Sequence, residues 1–207
     1  MLTAAIFLGV MIPVTAIGLW LNRRDYRRHK RLTWLGLLGA AAVLFVPNLY
    51  LSWYKPWFTA PETPVEVVGT VLWIAALALL LVSVAHFRKP QKVVGMDTSR
   101  LETGGIYRFS RNPQYVFWVL FILGYALTGP LGSGLLAVAV LCVAIHLIVR
   151  IEEEHLEDVY GEDYRRYREK TARYFLVLAC RGLSRTLRLR VPEAAVPPLS
   201  PSAPSTT

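Results

Sequence analysis

Apolar residues are concentrated in four long runs, which polar and charged clusters separate. The runs cover residues 2–21, about 32–51, about 65–87 and 114–149. A helix of about 20 apolar residues crosses the roughly 30 Å hydrocarbon core of a bilayer. Each of the first three runs therefore predicts one membrane-spanning helix, and the fourth run is long enough for two.

Breaker residues divide the fourth run. Thr128-Gly129-Pro130 and Gly132 lie inside it, and such a combination of glycine and proline marks a turn. The pattern predicts a helical hairpin with helices at about 113–128 and 131–150, of which the first is short for a membrane span. The expected fold class is an all-α integral membrane protein of about five transmembrane helices, followed by a helical tail.

The remainder of the chain divides into two further parts. Residues 150–174 are charged and predict a helix that continues the membrane domain, assigned to 1–174, with one stripe of tyrosines. Residues 175–190 place arginines among leucines, as in a segment resting on an anionic membrane surface. Residues 191–207 contain five prolines and no packing pattern, which predicts a disordered tail.

Composition and charge support the membrane interpretation. The chain of 207 residues is 54% hydrophobic, has a mean hydropathy of +0.40 and carries a net charge of +9. The basic residues lie between apolar runs, a pattern that indicates membrane lipids rather than nucleic acid as partners. With five spans, 22 of the 23 lysines and arginines fall on one side. The positive-inside rule then predicts an external N-terminus and a cytoplasmic C-terminus, while the oligomeric state is not indicated.

A first polar cluster, "GGIYRFSRNPQY", covers residues 104–115 at the start of the predicted hairpin. Asn112 is a favoured helix N-cap and Pro113 a favoured first helical residue, so helix initiation explains these two positions. Arg108 and Arg111 are able to bind lipid headgroups. A helix N-terminus is also suited to a carboxylate or phosphate, and the density of polar and aromatic residues here favours a binding site.

A second cluster, "RIEEEH", covers residues 150–155 at the end of the hairpin. A solvated helix face with ion pairs explains it, and His155 is expected at the surface. The spacing of Arg150 from Glu153 and Glu154 also allows both charge signs to face one pocket. Because the charge count places both clusters on the same side of the membrane, we expect them to meet at one site.

Other catalytic patterns are missing from the sequence. It contains no P-loop, no glycine-rich dinucleotide motif after a strand and no HExxH, which argues against a soluble nucleotide-binding enzyme. The two cysteines form no CxxC pair and the four histidines lack ligand spacing, so no metal site is predicted.

Taken together, the two clusters resemble the isoprenylcysteine carboxyl methyltransferase family and the related phospholipid methyltransferases. The typical pattern there is G-x-Y-R-x-x-R-(H/N)-P-x-Y, a hairpin, and then E-E-(x)7-G-x-x-Y-x-x-Y. Glu152 and Glu153 match the acidic pair, and Tyr164 matches a trailing tyrosine. The resemblance covers about residues 101–175. The prenyl-cysteine enzymes usually have His where this chain has Asn112.

The resemblance implies a methyltransferase that binds S-adenosylmethionine at the cytoplasmic face. The implied catalytic residues are Arg111, Arg150 and Glu153. The residues implied in binding the methyl donor are Tyr107, Arg108, Arg111, Asn112, Pro113, Tyr115, Glu152, Glu153 and Tyr164. Arg111 is expected to hold the donor's carboxylate, the two glutamates its amino group or ribose, and Arg150 an anionic acceptor.

Two alternatives remain open at this point. Membrane sterol and steroid reductases share a similar R-(H/N)-P-x-Y start but use NADPH, and the acidic tail of this chain fits a 2′-phosphate less well. A non-enzymatic membrane scaffold would use both clusters only as helix caps and surface charge. The acceptor is expected to be lipophilic or amphiphilic, with a prenyl-cysteine carboxylate and a lipid amine both possible.

Overall fold

A computed structural model describes residues 2–57, 59–85 and 101–175, and the predicted tail and nearly all of the surface segment lie outside this part. Within it, helices are the regular elements and no strand occurs. The α-helices are α1 (Leu2–His29), α2 (Trp34–Ser52), α3 (Pro64–Ala85), α4 (Pro113–Ala126), α5 (Leu131–Tyr160) and α6 (Glu162–Lys170). A 3-10 helix, Gly105–Arg108, precedes α4. The all-α prediction is confirmed.

Four helices of the described chain, α1, α2, α3 and α5, are long and apolar enough to cross a membrane. The fifth apolar helix, α4, has 14 residues, as expected for the short arm of the hairpin. Large apolar side chains such as Leu38, Val71 and Val143 are exposed on the outside of the bundle. Lipid covers such surfaces in a membrane protein, and the chain is an integral membrane protein.

Two helices continue beyond the apolar runs that predicted them. Helix α1 extends through the basic cluster to His29, and α5 extends through the glutamates to Tyr160. Neither extension contains glycine or proline, and arginine and glutamate are good helix formers. The prediction that residues 150–174 are helical is confirmed as far as Lys170, with a break at Gly161, which adopts a positive φ of 54° and separates α5 from α6.

A buried carboxylate fixes the turn between α1 and α2. Asp25 accepts hydrogen bonds from the backbone N–H of Thr33, at 2.8 Å, and from the Thr33 hydroxyl. Thr33 is the N-cap of α2 and its hydroxyl oxygen accepts from Gly36 N–H. These hydrogen bonds hold the C-terminal end of α1, which the sequence predicts to be cytoplasmic, against the start of α2.

Helices α3 and α4 approach closely where two glycines face each other. A methyl group on Gly69 would lie 2.6 Å from the Gly124 carbonyl oxygen, and one on Gly124 would lie 2.5 Å from the backbone nitrogen of Trp73. Small residues allow such close backbone contact between membrane helices. Since α4 carries the first polar cluster at its start, this contact helps to position the site.

Replacing Gly124 by alanine should force α3 and α4 apart. We expect Gly124→Ala to lower stability by about 1–3 kcal/mol, the usual cost of overpacking, measured as thermal unfolding in detergent. Gly132→Ala is the matched control, because a methyl group there meets nothing within 4 Å. Equal unfolding temperatures for the two variants would contradict the packing argument.

Candidate active site

A buried ion pair joins the two polar clusters. The Arg111 guanidinium donates from Nη2 and Nε to Glu153 Oε1 at 2.8 and 3.1 Å. The side chains are only 8% and 7% exposed, so both charges are removed from water. The start of α4 and the charged end of α5 therefore meet, although 42 residues separate them in the sequence.

Arg111 has further partners in the segment after α6. Its Nη1 donates to the carbonyl oxygens of Arg168 and Thr171, both at 2.9 Å, and its backbone N–H donates to Ala172. A guanidinium has five N–H donors, and that of Arg111 makes four N–H···O contacts, two with Glu153 and one each with Arg168 and Thr171. Arg111 thus stabilises the local fold besides any role toward a ligand.

Glu153 binds a second arginine that the sequence did not indicate. Arg173 donates from Nη2 and Nε to Glu153 Oε2 at 2.6 and 3.0 Å. Hydrogen bonding to Glu153 raises the pKa of Arg173. The Glu153 carboxylate therefore lies between two guanidiniums, with each oxygen accepting from a different one. The three side chains together carry one net positive charge.

The turn before α4 is held by tyrosines. Tyr107 is buried in the 3-10 helix and its hydroxyl donates to Gln114 Oε1. The Tyr167 hydroxyl donates to the Tyr107 carbonyl oxygen. Burial raises the pKa of both phenols, so each remains a neutral hydrogen-bonding group at physiological pH.

Asn112 occupies the predicted N-cap position, but its side chain makes no capping hydrogen bond. Its amide nitrogen donates instead to the Arg173 carbonyl oxygen at 3.3 Å. Asn112 is therefore at the predicted N-cap position, but the expected side-chain cap is not formed and its amide is held by the segment after α6. Pro113 is the first helical residue of α4, as predicted. The first N–H groups of α4 consequently receive no side-chain cap.

Glu152 lies in different surroundings from its neighbour Glu153. It accepts a hydrogen bond from the Tyr115 hydroxyl at 2.6 Å and, within the described residues, forms no ion pair. Its side chain is neither fully buried nor fully exposed. A carboxylate with one neutral donor and no cation still has acceptor capacity for a positively charged group.

The remaining predicted site residues differ in burial: Tyr164 is buried, whereas Arg108 and Arg150 are exposed. Tyr164 is 1% exposed, and its hydroxyl has no hydrogen-bond partner in the described chain. Burial and the charge of Glu153 raise the pKa of Tyr164. Arg108 is exposed over the Phe109 ring, and Arg150 is exposed with no described ion pair. Arg150 and Glu153 do not face one pocket as the sequence allowed, because Arg150 is exposed and Glu153 is buried.

The basic end of helix α1 packs beside the charged end of α5. The expectation that His155 is a surface residue is wrong, because it is 5% exposed and stacks on Tyr26 with ring centroids 4.1 Å apart. Asn22, one helical turn before Tyr26, is fully buried. In the sequence, the spacing of four residues between Asn22 and Tyr26 is the only sign that both face the same neighbour. That spacing is informative only once α1 is known to continue to His29.

One comparison with known proteins found a similar family. The model of the phospholipid methyltransferase family matches residues 64–163. The matched region is about half of the chain and includes the hairpin of α4 and α5. This match is consistent with the resemblance seen in the sequence. Searches of curated proteins and of solved structures each found no match.

The matched region holds most of the site. It contains Arg111, Tyr115, Glu152 and Glu153, but it ends before Tyr164 and Arg173 and begins after α1. S-adenosylmethionine combines a cationic end with a carboxylate and an adenosine. The site offers chemical groups that suit these parts of the donor. They are the Glu152 carboxylate, which has no described cation, the neutral phenol of Tyr115 and the Tyr164 hydroxyl, which has no partner in the described chain. The residues present therefore fit the donor.

The burial of the ion pair predicts that the stability of the protein depends on Glu153. Glu153→Gln would leave Arg111 and Arg173 without their counter-charge, and breaking a buried pair in this way costs about 3–5 kcal/mol. Thermal unfolding in detergent measures the loss. Glu154→Gln is the control, since Glu154 is 60% exposed and lies 3.9 Å from Arg23. A Glu153→Gln protein as stable as the control would show that the network contributes little.

Proposed function

We propose that the protein transfers a methyl group from S-adenosylmethionine to an amphiphilic acceptor at the cytoplasmic membrane face. The Arg111–Glu153 contact carries this proposal, because it brings both ends of the family motif together. The charge asymmetry of the sequence supports the cytoplasmic assignment. When bound, the donor supplies an electrophilic methyl group on a sulfonium.

Glu152 and Tyr115 are assigned to the cationic end of the donor. The Glu152 carboxylate is held in place by the 2.6 Å hydrogen bond from Tyr115, so its remaining lone pairs have a fixed direction. Electrostatic attraction to a cation is strong in a site from which water is excluded. The aromatic faces of Tyr107 and Tyr115 add cation–π attraction. These groups orient the donor without taking part in bond making.

Arg111, Glu153 and Arg173 act mainly as positioning residues in this proposal. Their hydrogen bonds to one another fix the start of α4 against α5. The donor's carboxylate is assigned to that helix start, whose N–H groups receive no side-chain cap from Asn112. Arg108 and Tyr164 complete the donor site at its edges. The direct catalytic roles implied for Arg111 and Glu153 are replaced by this indirect one.

The acceptor is proposed to reach the site from the lipid. Methyl transfer needs the acceptor's nucleophile aligned with the methyl group and little else from the protein. Arg150, exposed one helical turn before Glu153 and Glu154, is placed to bind an anionic group of the acceptor, such as a phosphate or carboxylate. The apolar part of the acceptor would remain among the membrane helices.

Calorimetry of the purified protein tests the proposal. We expect micromolar binding of S-adenosylmethionine and no binding of NADPH. Glu152→Gln should weaken donor binding by about 10- to 100-fold, the value of one charged hydrogen bond of about 1.5–3 kcal/mol.

The control for this experiment is Glu154→Gln, which removes a neighbouring carboxylate that is 60% exposed. It should bind the donor as the unaltered protein does. Binding of NADPH alone would replace the methyltransferase with a reductase. Binding of neither ligand would favour the scaffold. Equal affinity in the Glu152→Gln and Glu154→Gln proteins would remove Glu152 from the site.

A further inference from the structure

The C-terminal end of α1 has a buried side and a basic side. Asn22, Asp25 and Tyr26 are buried in the bundle. Most of the remaining positions here, and the two residues that follow the helix, are basic and exposed or partly exposed: Arg23, Arg24, Arg27, Arg28, Lys30 and Arg31. These charges therefore face the surroundings of the protein rather than its interior.

Acidic residues balance only two of the six charges within the described chain. The Arg23 guanidinium lies 3.9 Å from the Glu154 carboxylate. The Lys30 ammonium lies 3.8 Å from the Asp158 carboxylate. All four side chains are more than half exposed, and such ion pairs contribute little. Asp25, within the same run, is buried and hydrogen-bonded to the start of α2. The four other arginines are thus available to an external anion.

Two tryptophans place this basic side at the membrane interface. Trp20 lies at the end of the apolar part of α1 and Trp34 is the first residue of α2, and they are 61% and 73% exposed. Tryptophan is enriched at the level of the lipid headgroups. The Arg24 guanidinium lies 5.5 Å from the centroid of the Trp20 ring, and its Nε has no hydrogen-bond partner in the part of the chain that the structure describes. The basic side therefore begins at headgroup depth.

The chemistry of these side chains favours a phosphate on a lipid. Five of the six are arginines, whose planar guanidinium binds phosphate through two parallel hydrogen bonds. An anionic phospholipid brings a phosphate and a net negative charge to the depth of Trp20. A zwitterionic lipid carries its own ammonium group and gains less from the arginines. An acidic protein would match the charge but would leave the two exposed tryptophans without an apolar environment.

We propose that the exposed basic side of α1, from Arg24 to Arg31, is a docking surface for the headgroups of anionic phospholipids. Bound headgroups hold the basic end of α1, whose buried side stacks on His155 of α5 through Tyr26. The inference does not rest on the proposed function, because none of the residues of this surface is assigned to the methyl donor or to its acceptor.

Native mass spectrometry of the full-length protein in detergent tests this surface. The protein would be titrated with phosphatidylglycerol and, separately, with phosphatidylcholine of the same acyl chains, to compare the dissociation constants of the first bound lipid. We expect a preference for phosphatidylglycerol of about tenfold or more. Arg27→Gln combined with Arg28→Gln removes two unpaired guanidiniums. It should weaken phosphatidylglycerol binding by about 10- to 30-fold and leave phosphatidylcholine binding unchanged.

Arg165→Gln combined with Arg166→Gln is the matched control. These arginines of α6 are 55% and 63% exposed, but they pair with Glu157, Glu162 and Asp163. The control loses the same charge from a surface that is already neutralised, so it should keep the affinity and the preference for phosphatidylglycerol. Both pairs lie at the surface, and both double variants should unfold at the temperature of the unaltered protein. Inorganic phosphate at millimolar concentration should not displace the lipid, because a free ion gains nothing from the apolar surface beside the arginines.

Four results would overturn the assignment. Equal affinity of the unaltered protein for the two lipids would remove the recognition of negative charge. Equal losses in the two double variants would assign the preference to net charge rather than to α1. Displacement by inorganic phosphate would make the surface a site for a free anion, and displacement by a polyglutamate peptide would favour an acidic protein as the partner. Each of these results leaves the proposed function unaffected, because donor binding is measured separately.

Discussion

The site depends on one buried carboxylate held between two guanidiniums. Glu153 accepts from Arg111 on one oxygen and from Arg173 on the other, and thereby ties together α5, the start of α4 and the segment after α6. Charges removed from water are stable only when paired and hydrogen-bonded, so these three parts of the chain must be assembled at once. The tyrosine and backbone contacts around Arg111 extend this requirement to the 3-10 helix.

Adjacent glutamates take different parts in this arrangement because successive residues of a helix point about 100° apart. Glu153 points into the network of arginines, whereas Glu152 points toward Tyr115. The family motif contains the pair as a unit, but the geometry divides it into a residue that builds the site and a residue that remains available. A double substitution would therefore combine two unrelated effects and is less informative than the single ones.

The sequence predicted the parts of the fold that hydrophobicity and charge determine. It located the spans, the turn at Gly129 and Pro130, and the meeting of the two polar clusters. It did not predict that α1 reaches His29, because a basic run with no breaker looks the same in a loop as in a helix. Other features depend on which helices are neighbours, and periodicity does not carry that information. They include the burial of Asn22 and His155, the contact of Asn112 with Arg173 and the exposure of Arg150.

The brevity of α4 has a consequence for the surrounding lipid. At 1.5 Å per residue its 14 residues rise about 21 Å, less than the roughly 30 Å of a typical hydrocarbon core. The bilayer must become thinner beside this helix, or the polar start of the helix must lie below the level of the lipid headgroups. Either adjustment brings headgroups and the base of the bundle to the same depth. Membrane thickness thereby becomes a physical variable that acts directly on how a lipid meets this protein.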